Sequence, residues 1–232
     1  MLTEVNEQGM LAGVDITTIA KLSPSEQMAA LIAVLAEISK PKSKGSRAEL
    51  FRFGAEVEKD VAEKLAKGQL QAIDYEIICV VPVPGGAGRQ NFKFFETNSV
   101  ILKGLNTLKE GRAEKDFNMI VTEVALQAAT AVGATTADIA AAQFEDIDQV
   151  PCLRNAFLKI DFNARPVLRD FPTSSLGKDV LGDKGAYLKL DNPKMIKSLE
   201  PIYAEIEMES GADVPANTFV ALKLKGTATF VR

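Results

Sequence analysis

The sequence predicts a mainly β protein, an antiparallel sandwich or barrel preceded by an N-terminal helical segment. Three observations predict it. Helix start signals and long apolar runs are concentrated in about the first 68 residues. After Gly68, short Val- and Ile-rich runs alternate with turn residues, and the crossover helices of a parallel doubly wound sheet are missing. The closing segment alternates apolar and charged residues with the period of a strand. The chain therefore divides into 1–68, an arm and two helices, and 69–232, an antiparallel β domain with a short helical insert near 134–144.

Residues 1–22 carry no cap or clear periodicity and read as an arm. Ser23, Pro24 and Glu26 then make a helix start: a capping hydroxyl, a proline suited to the first turn, and a glutamate three positions after the serine. The helix is expected over about 24–39. Its centre, MAALIAVLA at 28–36, is apolar on every side, as in a buried helix. Leu31, Ile32 and Leu35 are the candidate subunit contacts on it. The run KPKSKGSR at 40–47 holds four basic residues in eight. Pro41 and Gly45 make it a linker, and Lys40, Lys42, Lys44 and Arg47 are candidate contacts for a polyanion or for lipid headgroups. Ser46 and Glu49 make a second capping box. A second helix is expected over 47–67, with Leu50, Phe53, Val57, Val61 and Leu65 on one face and Gly68 as its stop.

In the β region, strands are expected over 69–83, 90–96, 98–108, 116–128, 156–162 and 165–169. The segment ATTADIAAAQF at 134–144 is the helical insert. The segment PIYAEIEME at 201–209, the loop SGADVPAN and TFVALKLKGTATFV at 218–231 read as a terminal hairpin. Pairing them would set Glu205 and Glu207 against Lys223 and Lys225, each cross-strand pair adding about 0.2–1 kcal/mol.

Composition narrows the chemistry. Of 232 residues, 47% are apolar and 25% charged, ordinary globular usage that needs no disulfide or metal to form a core. A net charge of −4 argues against a globally basic nucleic-acid binder. There is no histidine, so Ser-His-Asp triads, Cys-His pairs and imidazole metal sites are excluded. Cys79, inside the apolar run IICVV, reads as a small buried hydrophobe. A disulfide from Cys79 to Cys152 stays open. The opening MLTEVNE is acidic where a secretory signal is basic, and the longest apolar run is too short for a membrane helix of about 20 residues. A soluble chain made in the cytoplasm is expected.

The segment VVPVPGGAGRQ at 80–90 resembles the start of a phosphate loop. It lacks the lysine–hydroxyl pair of the P-loop, and Asn91 stands where a dinucleotide loop needs its last glycine. The following QNFKFFE alternates like a strand, so no helix N-terminus is available to bind phosphate. The loop is expected to join two strands, with Arg89 as a further candidate subunit contact. Glu145, Asp146 and Asp148 lack the glycine and the closing glutamate of a calcium loop and read as an acidic exposed turn. No constellation points to catalysis, and no cofactor or small-molecule substrate is expected.

A helical arm, a run of strands and a long terminal hairpin at the sheet edge, with FETN leading into VILKG, FLKIDFN into VLRDFP, and the closing LKLKGT, resemble the β-barrel coat proteins of tailless icosahedral bacteriophages. The resemblance covers about 69–232. It implies a jelly-roll fold and a non-catalytic capsid protein that self-assembles into a homo-oligomeric shell with other virion proteins. It also implies residence in the virion after synthesis in the host cytoplasm. The alternative is a β-sandwich module that binds a small molecule or carbohydrate. An enzyme built on carboxylates is a third reading.

Overall fold

The structure, a computed structural model, describes residues 10–11, 14–15, 49–50, 52–54, 56–96, 101–176, 187–211 and 213–231. The expected helix 24–39, the basic run 40–47 and the cap at Ser46 lie outside the described residues.

The strands are β1 (Met10–Leu11), β2 (Val14–Asp15), β3 (Leu70–Pro82), β4 (Gln90–Phe94), β5 (Met119–Thr130), β6 (Glu145–Asp146), β7 (Phe157–Phe162), β8 (Arg165–Pro172), β9 (Leu188–Ile196), β10 (Ile202–Met208) and β11 (Thr218–Val231). Among the described residues, β1 and β2 pair with each other and with no other strand. The rest form two antiparallel sheets. In one, the order is β3-β11-β5, with β9 and the short β6 both pairing with β5; in the other it is β4-β10-β7-β8. Numbering the eight main strands along the chain, the first sheet runs 1-8-3-6 and the second 2-7-4-5. This is jelly-roll connectivity, two Greek keys rolled into a sandwich.

The alternating burial of the strands explains the layering. In β10, Ile202, Ala204, Ile206 and Met208 point inward, while Tyr203, Glu205 and Glu207 lie on the opposite face. In β11, Val220, Leu222, Leu224 and Ala228 join the same core. Burying side chains such as Phe94, Phe162, Ile160 and Leu158 contributes about 1.5–3 kcal/mol each.

Gly226 sits at a register shift between β11 and β5, where a Cβ would lie 1.8 Å from the Ile120 carbonyl oxygen. Only glycine admits so close an approach of two backbones.

Most expected strands form within a few residues of their expected ends. Three expectations need correction. The stretch 98–108 is not a strand: its described part, 101–108, is a loop that crosses the edge of β3, with Val80 N–H donating to the Leu105 carbonyl at 2.8 Å. β9 forms where no strand was expected, its pattern interrupted by Asp191, Asn192 and Pro193. The terminal hairpin does not exist. β10 pairs with β4 and β7, while β11 pairs with β3 and β5 in the opposite sheet.

The second helix is also shorter than expected. Helical turns at Glu49–Leu50 and Arg52 give way to a turn at Phe53 and Gly54, and α1 spans Lys59–Ala66. The conformational cost of Gly54 weakens the helix there. Just before α1, Glu58 takes up a tertiary role: its carboxylate accepts from Asn118 Nδ2 at 3.0 Å and from the Ser198 backbone N–H at 3.2 Å. The expected apolar face survives this break. Leu50 packs with Ile120 and Met195, with Phe53 and Val57 beside them, and Val61 is buried. Gly68 ends α1 with φ of +68°, the left-handed stop that glycine favours.

The helical insert is α2 (Thr136–Ala141). Thr135 caps it and Asp138 closes the capping box. α3 (Pro151–Arg154) follows, with Leu153 in the core.

Candidate functional site

The glycine loop joins β3 to β4 and so carries the chain from one sheet to the other. Gly86 and Gly88 have φ of +120° and +87°. The backbones of Gly86 and Gly211 exchange hydrogen bonds at 3.1 and 3.0 Å, which fastens this loop to the β10–β11 connection at the same end of the sandwich. Gly211 has no room for a side chain, since a Cβ would lie 2.5 Å from the Pro84 carbonyl oxygen. The Gly86 N–H serves a backbone bridge, and a strand follows the loop. Arg89 pairs with Glu207 of its own chain and keeps most of its surface exposed.

The outer face of the smaller sheet carries a charge ladder. Glu205 on β10 is in register with Lys93 on β4 and with Lys159 on β7. Both lysines stand over the Tyr203 ring, at 5.6 and 5.4 Å from its centre. The Tyr203 hydroxyl donates to Glu205. Partial burial, then the Glu205 carboxylate, push the Tyr203 phenol up to about 12. Lys159 also pairs with Asp161 at 3.6 Å. These charges pair across strands as the sequence reading expects of the terminal charges, but with other partners. Lys225 pairs with Glu123 at 3.0 Å and stands over the Tyr187 ring at 4.8 Å. The Tyr187 hydroxyl donates to Glu76. The alternation in QNFKF and FLKIDF marks Lys93 and Lys159 as outward-facing, but their meeting around Tyr203 depends on strand order.

Between the edges of β3 and β4 lies a groove of about 610 Å³. Cys79, Val81, Phe92, Phe95 and Leu102 give it an apolar surface, and Lys93, Glu96 and Glu205 also line it. No local sequence signal marks it, because its walls come from two sheets.

Cys79 and Cys152 are both free thiols, which closes the disulfide question. Cys79 is in the core, as expected, and accepts from the Phe95 N–H at 3.4 Å. Burial pushes its thiol up to about 11, so it is almost wholly protonated at neutral pH and a poor nucleophile. Burial also raises the Cys152 thiol.

The acidic turn is less exposed than expected. Asp146 is buried, and its Oδ1 accepts from the Asp148 N–H at 3.0 Å, capping a short 3₁₀ turn over Ile147–Gln149. Its Oδ2 has no hydrogen-bond partner among the described residues. Asp148 pairs with Arg154 at 3.4 Å. Among the described residues, no three acidic or thiol side chains converge to hold a metal ion. No described helix is long and apolar enough to cross a membrane.

No protein-family model matches the chain. A search of the curated proteins finds no significant match.

Proposed function

We propose that this protein is a structural coat subunit: a single jelly roll that self-assembles into a viral shell and performs no catalysis. The observation that carries the reading is the strand order, 1-8-3-6 over 2-7-4-5. Shell subunits are one of the recurrent uses of this architecture. Two further features favour the coat over the other uses of this architecture. The sandwich places its polar network on its surface as paired charges, which suits a rigid tile. The sequence also provides an apolar segment at 28–36, with Leu31, Ile32 and Leu35 as contacts for neighbouring subunits.

In this reading Arg89, exposed beside Glu207, reaches a neighbour at the β3–β4 end. Lys40, Lys42, Lys44 and Arg47 meet the genome or a membrane lipid, other virion proteins complete the shell, and the protein resides in the virion after synthesis in the host cytoplasm. Sedimentation with electron microscopy of the purified protein is the test. Shells, rings or lattices that form as concentration rises are expected. A strictly monomeric species from micromolar to millimolar concentration would sink the proposal. Neutralising the four basic residues should weaken binding to a polyanion or to anionic vesicles, and binding that is unchanged and insensitive to salt would remove that role.

A second reading, a β-sandwich binding module, is favoured by the groove between β3 and β4. Its ligand would be a small amphipathic molecule lying on Phe92 and Phe95. Titration of Phe92→Ala against the unaltered protein distinguishes the two readings, because assembly through the apolar segment at 28–36 does not use that groove.

A further inference from the structure

The edge of a sheet carries unpaired backbone groups, and native proteins protect it. Three of the four described sheet edges are protected. The loop over 101–108 crosses β3: besides the Val80 bond to Leu105, the Thr107 N–H donates to the Ile78 carbonyl at 3.0 Å. β8 carries Pro166 and Pro172 and two register shifts against β7. Beyond β5, β9 carries Pro193 and a register shift, and β6 has only two residues. β4 differs. It has no proline, and its register with β10 runs unbroken from Gln90 to Phe94. Its one guard is the charge of Lys93.

The hydrogen bonds around β10 show which backbone groups of β4 face outward. The Pro201 carbonyl accepts from the Asn163 N–H on the β7 side, and the next N–H, of Ile202, donates to the Gly111 carbonyl on the opposite side. Successive residues of an antiparallel strand bond to opposite neighbours. Ala204, Ile206 and Met208 therefore bond toward β4, through Phe94, Phe92 and Gln90. Asn91, Lys93 and Phe95 turn their backbone groups the other way. The Phe95 N–H shows that direction, because it reaches Cys79 Sγ at 3.4 Å across the gap between the sheets. The N–H and C=O groups of Asn91 and Lys93 face the groove between β3 and β4 and have no partner among the described residues.

We infer that β4 accepts an extended peptide segment of another protein as an added antiparallel strand in this groove. The segment carries one acidic residue opposite Lys93 and an apolar residue on either side of it. Main-chain bonds to Asn91 and Lys93 hold it, and alternate side chains set its sequence. The acidic residue follows from the charge ladder. Lys159, Glu205 and Lys93 alternate across β7, β10 and β4, so Lys93 is the open end. Among the described residues no carboxylate lies within ion-pair distance of it. An acid on the next strand continues the alternation. The flanking residues of the segment point to the other face, onto Cys79, Val81, Phe92, Phe95 and Leu102. Glu96, also on the groove, disfavours a second acid. Five residues of strand extend about 17 Å, the length of β4. A second copy of this chain offers no suitable strand: its other described edges are the protected ones, and β4 against β4 brings two lysines together. The inference rests on the binding-module reading of this groove and changes its ligand, because a small apolar molecule leaves the β4 backbone unpaired. It does not depend on the coat reading.

Titration of the full-length chain with a blocked pentapeptide, threonine–valine–glutamate–valine–threonine, tests this. Saturable binding is expected, with slower hydrogen exchange at the Asn91 and Lys93 amides. Methylating the glutamate nitrogen removes the donor to the Lys93 carbonyl and should abolish binding. Equal binding of the methylated peptide overturns the inference, because the groove then takes the peptide only as an amphipathic molecule. Lys93→Glu should weaken the pentapeptide about tenfold and favour its analogue with lysine in place of glutamate. An unchanged preference overturns the inference as well. So does slowing of the Asn91 and Lys93 amides on raising the protein concentration alone, which assigns the edge to a second copy. If the peptide does not bind, but anilinonaphthalene sulfonate binds and Phe92→Ala abolishes that binding, the inference falls and the binding-module reading stands.

Discussion

The two sheets share one core but have opposite outer faces. On the smaller sheet the outer positions of β4, β10 and β7 alternate in charge, Lys93 against Glu205 against Lys159, and they are exposed or half-buried. On the larger sheet the corresponding positions are partly alanine and phenylalanine, almost fully buried, with a charged band of Glu76, Lys225 and Glu123 between them and the Leu50 cluster. A jelly roll needs only one apolar face per sheet.

The contrast is testable, and the largest effect is expected on the covered face. Ala221→Asp places a carboxylate without a partner in a buried site and should cost about 3–5 kcal/mol, whereas Glu205→Ala on the open face should change stability by at most about 1 kcal/mol. Denaturant unfolding measures both, and equal costs would erase the distinction between the faces. Gly226→Ala should cost about 3 kcal/mol, because its methyl group meets the Ile120 carbonyl and separates β11 from β5. A neutral result there would mean that the bulge relaxes.

Glu58→Gln should cost about 1 kcal/mol, with a dependence on pH. Burial works to raise the Glu58 carboxyl, but hydrogen bonds from Ser198 and Asn118, with Lys197 nearby, together hold it below its ordinary value of 4.5. Its stabilising effect is therefore fully present above pH 4.5 and is lost as pH falls through its lower folded value. Unfolding curves of the two proteins should converge in acid, and a constant difference across pH would exclude the carboxylate as the anchor. The smallest effect concerns the thiols. Cys152 should react with a thiol reagent well before Cys79, which is buried with its thiol at about 11. Equal labelling rates would place Cys79 outside the core.

Much of the fold was legible locally. Period-2 alternation located β4, β7, β10 and β11, the Thr135–Asp138 spacing marks the start of α2, and Gly68 stops α1 where expected. β9 was not legible, because Asp191, Asn192 and Pro193 interrupt its pattern and its pairing with β5 overrides that weak propensity. Of the candidate site residues, only Arg89 falls among the described ones, and its partner Glu207 comes from a strand that sequence reasoning had paired elsewhere. The groove and the Tyr203 cluster were illegible for the same reason. Each joins residues more than a hundred positions apart.

The sequence by itself determined most of the strands, β9 and the loop over 101–108 excepted, which side of each is apolar, and which chemistries a chain without histidine gives up. These depend on side chains and their immediate neighbours. Tertiary structure alone decided which strand lies beside which. PIYAEIEME and TFVALKLK have the alternation of a hairpin, yet a strand with one apolar face is satisfied by any core-facing position in either sheet. The choice was made by the whole sandwich. β11 runs between β3, about 150 residues earlier, and β5, where its length and Gly226 fit. β10 crosses to the other sheet, and there Glu205 finds Lys93 and Lys159 in place of the lysines that follow it in the chain.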